Sequence, residues 1–261
     1  MESKNRNVWI ILAVIVVVLC CCVLAVAATG AWFTTQSLDW TGATRLQRSE
    51  EAFAVGETPS LAIDNFAGNV TVRSGESGLI QVVATKNARR ESDLARIEVQ
   101  MSEQDGGLLI KTKKPSSLNS ASVDLEITAP AGTALDANNG AGNVEIGDIS
   151  GKIDAHTGAG DIDVRGAAAT TRLDTGAGSL RYQGMPQGEC RFETGAGDIT
   201  IALPTDLNVR VDLETGTGDI DVDFVVDGEV SRREVQGVIG SGAEGTIYAH
   251  TGAGNIDVVR R

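Results

Sequence analysis

The nine residues HTGAGDIDV at 156–164 return, with one change, as HTGAGNIDV at 250–258, and looser copies lie between them. Aligned on the glycine that opens each copy, the repeats fall at Gly140, Gly158, Gly176, Gly195, Gly216 and Gly252, in steps of 18, 18, 19, 21 and 36 residues. A unit of about 20 residues is too small to bury a core alone, so units of this kind stack and bury one together. The last step is twice 18, and the period predicts one degenerate turn between 222 and 245.

Each unit has the same internal plan. After the glycine turn come alternating polar and apolar residues, with the apolar pairs Val144/Ile146, Ile162/Val164, Leu180/Tyr182, Ile199/Ile201, Ile220/Val222 and Ile256/Val258. Before the turn a second short strand alternates, with an inward set of Ile153, Ala155, Thr157; Leu173, Thr175; Phe192, Thr194; Val211, Leu213, Thr215; and Ile247, Ala249, Thr251. Alternation of period two buries one face of a strand. Two strands and two turns per unit, stacked in parallel about 4.8 Å apart, place like residues above like residues. The inward threonines then form a ladder whose hydroxyls bond backbone at the turn, and glycine lets the chain reverse there without a Cβ clash. The fold expected is all-β: a single-stranded β-solenoid or β-helix of about 18–21 residues per coil. An antiparallel sandwich in which TGAG forms hairpin loops is the competing arrangement. The near-constant step favours stacking.

Composition agrees with this core. Aromatic residues are only 4% of the 261, so the interior is built from isoleucine, valine, alanine and threonine, whose β-branched members favour strands. The net charge of −13 repels phosphate backbones and argues against nucleic acid as a partner, leaving cations and basic surfaces as the easier ones. Cys190 is the one cysteine outside an apolar run that holds Cys20, Cys21 and Cys22, so neither an internal disulfide of the body nor a paired-cysteine metal site is expected.

Residues 8–28 carry no charge, and as a helix they span roughly 30 Å, one hydrocarbon core. With Lys4 and Arg6 ahead of it and Trp9 and Trp32 near its ends, the segment reads as a signal anchor over 8–29. Residues 1–7 are then cytoplasmic and the rest lies outside. AVAA at 25–28 offers a cleavage site as the alternative. Residues 30–59 lack clear periodicity and read as a juxtamembrane linker with a short strand near its end, 60–135 as a cap and first coils, and 136–261 as the TGAG repeats.

LAIDNFAGNVTVRSG from 61, IQVVATK from 80, LLIKTKK from 108, VDLEITAPAGTALDA from 123 and the serial TGAGDIDV units together resemble the bacterial putative-adhesin family, over roughly residues 60 to 260. The resemblance implies a glycine-rich β-solenoid domain of unknown function, often carried behind a transmembrane helix or signal. It brings no catalytic residues with it. The irregular stretch 223–243 departs from the pattern.

The chemistry-bearing side chains point the same way. His156 and His250 occupy equivalent corners but, counted in sequence order, lie about five coils apart and cannot share a metal; Asp174, Glu193 and Glu214 fill the same slot between them. Asp161, Asp198 and Asp219 close the glycine turns, and Asp163, Asp221 and Asp257 follow two residues later. Stacked carboxylates repel, and calcium between coils would relieve them, which makes Asp161, Asp198 and Asp219 the calcium candidates. The calcium-binding nonapeptide of β-roll proteins, however, has aspartate where this chain has Ile162, Ile199 or Ile220, so a solvated acidic face is the better reading. Asp154, Arg172, Arg191 and Asp212 are expected to stack as an outward row of neighbouring ion pairs. There is no phosphate loop, zinc signature or serine elbow. No catalytic residue, cofactor or resident metal is expected. The function read from the sequence is structural or adhesive, toward a glycan or an envelope protein, without catalysis. The alternatives are an envelope sensor or scaffold acting on a membrane partner, and a carbohydrate-active β-helix enzyme.

Overall fold

The computed structural model describes residues 45–104, 106–167, 170–242 and 244–261. The expected membrane span at 8–29 lies outside them, and among the described residues no helix is long and apolar enough to cross a membrane. Over the described residues the chain is all-β, with two large sheets and one helical turn. Its elements begin with β1 (Arg45–Ala54), β2 (Ser60–Asn65), β3 (Val70–Ser74), β4 (Leu79–Ala88), α1 (Glu91–Leu94), β5 (Glu98–Gln104), β6 (Gly107–Lys113) and β7 (Ala121–Ala129). The repeats supply β8 (Ala134–Asn139), β9 (Val144–Gly147), β10 (Ile153–Thr157), β11 (Ile162–Ala167), β12 (Thr171–Thr175), β13 (Leu180–Gly184), β14 (Gly188–Ala196) and β15 (Ile199–Leu203). Then follow β16 (Val209–Thr215), β17 (Ile220–Val222), β18 (Val226–Val230), β19 (Glu234–Ile239), β20 (Gly245–Ala253) and β21 (Ile256–Arg260).

Each coil gives one strand to an eleven-stranded sheet and the next to a ten-stranded sheet, with the glycine turn as the corner between them. Along the regular part the pairing is parallel and in register, so that Thr157 lies beside Thr175, Thr175 beside Thr194, and Ile162 beside Leu180. The stacked strands bury every inward residue named from the alternation except Ile220 and Val222, which are half-exposed. Tyr182 and Phe192, two fully buried rings of the interior, meet at 5.0 Å between centroids. This is a β-solenoid-like arrangement, and its parallel registers exclude hairpins at the TGAG corners.

The order of the coils departs from the order of the sequence at both ends. The β20/β21 coil does not follow outermost: it lies between β14/β15 and β16/β17, pairing with both in parallel. After β15 the chain skips one coil's width, forms β16 and β17, makes an antiparallel hairpin of β18 and β19 against β16, and returns to fill the gap. The stretch 222–245 is therefore a hairpin cap and not a degenerate turn. The doubled step of 36 arises because the repeat motif resumes only when the chain re-enters the stack. Ile220 and Val222 are half-exposed for the same reason, since β17 ends its sheet.

The other end uses the same device. The β2/β3 coil pairs with β8/β9 on one side and is covered on the other by β6/β7. Antiparallel additions then finish both sheets, β5 on β6, and β4 followed by β1 on β7. Open parallel edges invite pairing with other chains; here antiparallel strands cover both sheets at the β2/β3 end, and at the other end they cover β16 while β17 remains the edge of its sheet. The ten-residue β1 lies within the stretch expected as linker. Among the described residues it is paired only with β4 and is largely exposed, so its burial pattern carries little alternation.

Candidate functional site

The corners explain the repeat. The Thr157, Thr175, Thr194, Thr251 and Thr215 side chains all point inward, and each hydroxyl donates to the carbonyl of a turn glycine in the neighbouring coil, at 2.8–3.0 Å: Gly142, Gly160, Gly178, Gly197 and Gly254 respectively. Asn139 takes the threonine's place in the first regular coil, its amide donating to the Gly68 and Gly142 carbonyls. Each such bond satisfies a half-buried acceptor, worth up to about 1–3 kcal/mol where water is excluded. The glycines make the approach possible. Gly178, at φ +149°, sits so close beneath the Gly160 carbonyl that a Cβ there would collide with the oxygen.

The residue that closes each turn forms a second ladder on the outside, in the order Asn69, Asn143, Asp161, Ser179, Asp198, Asn255, Asp219. The side-chain oxygen of Asn69 accepts from the Asn143 N–H, that of Asn143 from the Asp161 N–H, and that of Asp161 from the Ser179 N–H. Asp198 accepts from Asn255, and Asn255 from Asp219, at 2.7 and 3.0 Å. The three calcium candidates are therefore not neighbours: Ser179 separates Asp161 from Asp198, and Asn255 separates Asp198 from Asp219. The Asp161 and Asp198 carboxylates serve as caps for the next coil's backbone. Asp219, at the end of the ladder, is held by Arg232 from the hairpin turn, and this guanidinium draws the Asp219 carboxyl below its ordinary range. Two residues on, Asp257 and Asp221 are adjacent. Partial burial, with Asp198 and Asp221 nearby, raises the Asp257 carboxyl. Among the described residues no group of three or more His, Cys, Asp or Glu side chains is arranged to hold a metal ion.

The histidine slot reads His156, Asp174, Glu193, His250, Glu214. The two histidines are three coils apart, not five, because β20 is inserted beside β14. His156 Nδ1 is 2.6 Å from Asp174, and His250 Nδ1 is 3.7 Å from Glu214. The expected row of Asp154, Arg172, Arg191 and Asp212 is likewise interrupted: Tyr248 stands between Arg191 and Asp212.

That insertion creates the feature that reasoning from sequence missed. The Tyr248 ring points outward from the eleven-stranded sheet, with the Arg191 guanidinium 5.9 Å from its centroid on the β14 side. On the β16 side an open groove of about 330 Å³ is lined by Arg210, Val211, Asp212, Gln236, Gly237 and Tyr248. The Gln236 amide donates to Asp212 across it at 3.4 Å. Arg191 is tied to Glu193 at 2.6 Å, which fixes it against the ring. The signal in the sequence was Tyr248 itself, an aromatic at an outward slot that holds Asp154, Arg172 and Arg191 in other repeats.

The profile of the family described as Toastrack DUF4097 matches residues 58–259. The chain is similar in fold to a putative cell adhesion protein from Clostridium sporogenes, at 17% identity over 82% of this chain and 100% of that one, with a TM-score of 0.52. It also aligns with a putative adhesin from Bacteroides fragilis, at 13% identity over 84% of this chain and 99% of that one, with a TM-score of 0.42. No curated protein matches it.

Proposed function

From the membership of this chain in the Toastrack DUF4097 family, we propose that it is an adhesin-like binding protein of the bacterial envelope, without catalysis. It is anchored by residues 8–29, and its solenoid of 18–21-residue coils stands outside the membrane. One observation carries the reading: in-register stacking turns single sequence positions into long outward rows on two extended sheets, which suits contact with an extended surface more than enclosure of a substrate. Rows of weak contacts gain strength by repetition along the stack. The similar fold from Clostridium sporogenes is described as a putative cell adhesion protein, which agrees with this reading, and the uncharged 21-residue run at 8–28 supports the anchor.

The test is protease accessibility and envelope binding. The full chain, expressed in a bacterium with a carboxy-terminal tag, should fractionate with membranes and lose its tag to protease added outside spheroplasts. Reconstituted in nanodiscs, it should retain sonicated envelope material. A tag protected until lysis, or nanodiscs that retain no envelope component, would overturn the reading.

A further inference from the structure

We infer that the groove beside Tyr248 binds a neutral pyranose saccharide, with the sugar's C–H face against the tyrosine ring. The inference rests on the surface-binding reading and gives it a site and a ligand class. An outward aromatic ring presents a negative π-face that attracts the weakly positive axial C–H bonds of a pyranose. A sugar also requires donors and acceptors for adjacent hydroxyls. The groove supplies both in planar, two-pronged form: the Arg210 guanidinium and Gln236 amide donate, and the Asp212 carboxylate accepts. Arg191, locked to Glu193, covers the β14 side of the ring, so the β16 side is the one left open to a ligand.

Other ligands fit less well. The guanidiniums of Arg210 and Arg191 flank the site and disfavour a metal cation. A uronate or phosphate meets Glu189, Glu193 and Glu214 in the neighbouring rows, on a chain of net charge −13. A protein partner would look for apolar surface, and none of the exposed large apolar side chains, Leu46, Met185, Val225 and Val230, lines the groove. The groove arises only where β20 is threaded between β14 and β16, so it is a single site and not a repeated one.

Saturation-transfer NMR on the full chain in nanodiscs tests this, with maltotriose, cellotriose, mannotriose and chitotriose as neutral probes and trigalacturonate as the anionic one. At least one neutral trisaccharide should receive saturation and titrate, and trigalacturonate should not. Tyr248→Ala and Asp212→Ala should each weaken binding by about tenfold or more. Tyr248→Phe should bind like the native chain and guards against a folding artefact, and Arg172→Ala, two coils away, should have no effect. Silence from all four neutral sugars overturns the inference, as does binding indifferent to both alanine variants or equal binding of trigalacturonate. Retention of envelope material that survives Tyr248→Ala would remove this site and leave the surface-binding reading in place.

Discussion

At the scale of the residue, the corner is where this fold is most sensitive. Gly178 combines a left-handed φ of +149° with a carbonyl directly above it, so Gly178→Ala meets backbone strain and collision together. The expected loss is more than about 3 kcal/mol. Thr175→Val keeps the shape and removes one hydroxyl, leaving the Gly160 carbonyl without that donor, and should cost about 1–2 kcal/mol. Denaturant melts of the two variants should rank them in that order. Equal losses would mean that the hydroxyl matters as much as the missing Cβ. The interior has a second sensitive point. Burial raises the Tyr182 phenol and the Cys190 thiol above their ordinary values. Raised folded-state values mean that the unfolded chain releases these protons first. Stability is therefore complete below the unfolded values, about 8.5 for the thiol and 10 for the phenol, and declines as pH rises through and beyond them. Tyr182→Phe removes one of the two groups. Its melting temperature should fall less steeply than the native one between roughly pH 9.5 and 11, and parallel curves would exclude Tyr182 as a cause of alkaline lability.

At the scale of the element, the repeat made the strands, their inward faces and the turn chemistry legible, because every coil solves the same corner with the same residues. The order of stacking was not legible, since matching letters satisfy any neighbour with the same register. Gly252 fits between Gly195 and Gly216 as well as it would fit beyond Gly216. The cap was hidden for a related reason. Strand β18 is exposed after its first residue, Val226, and a strand with so little buried face writes no clear alternation. The groove depends on that order, so its partners were hidden too: Asp212 and Gln236 meet Tyr248 only once β20 lies between β14 and β16. The threading is directly testable with cysteine pairs in the histidine slot. Glu193 and His250 are register partners, and neighbouring strands are about 4.8 Å apart, within the Cα range of a disulfide. Glu193 and Glu214 are separated by β20, at about twice that spacing. Oxidation should therefore cross-link the variant carrying Glu193→Cys and His250→Cys, and not the one carrying Glu193→Cys and Glu214→Cys. The reverse result would restore stacking in chain order.

At the scale of the molecule, the threading changes what the carboxy terminus does. In a solenoid stacked in chain order, losing the last coil trims one end and leaves the others in place, because each repeat touches only its neighbours. Here the last coil is a wedge. Ile247, Ala249, Ile256 and Val258 are buried between the coil of Phe192, Ile199 and Ile201 and the coil of Val211 and Leu213. Ending the chain at Glu244 would strip each neighbouring coil of a partner strand in both sheets and leave β16–β19 joined to the stack through the connection from β15. Each large aliphatic side chain withdrawn contributes about 1.5–3 kcal/mol, and the exposed faces opposite lose comparable cover. The sum reaches the whole stability of an ordinary domain, about 5–15 kcal/mol. The chain truncated after Glu244 should fail to accumulate in folded form, shown by low yield and rapid proteolysis of the entire body. Val230→Asp on the outermost strand β18, where the side chain is exposed, should lower the melting temperature only slightly. A truncated chain that melts within a few degrees of the native one would show that the last coil is peripheral after all.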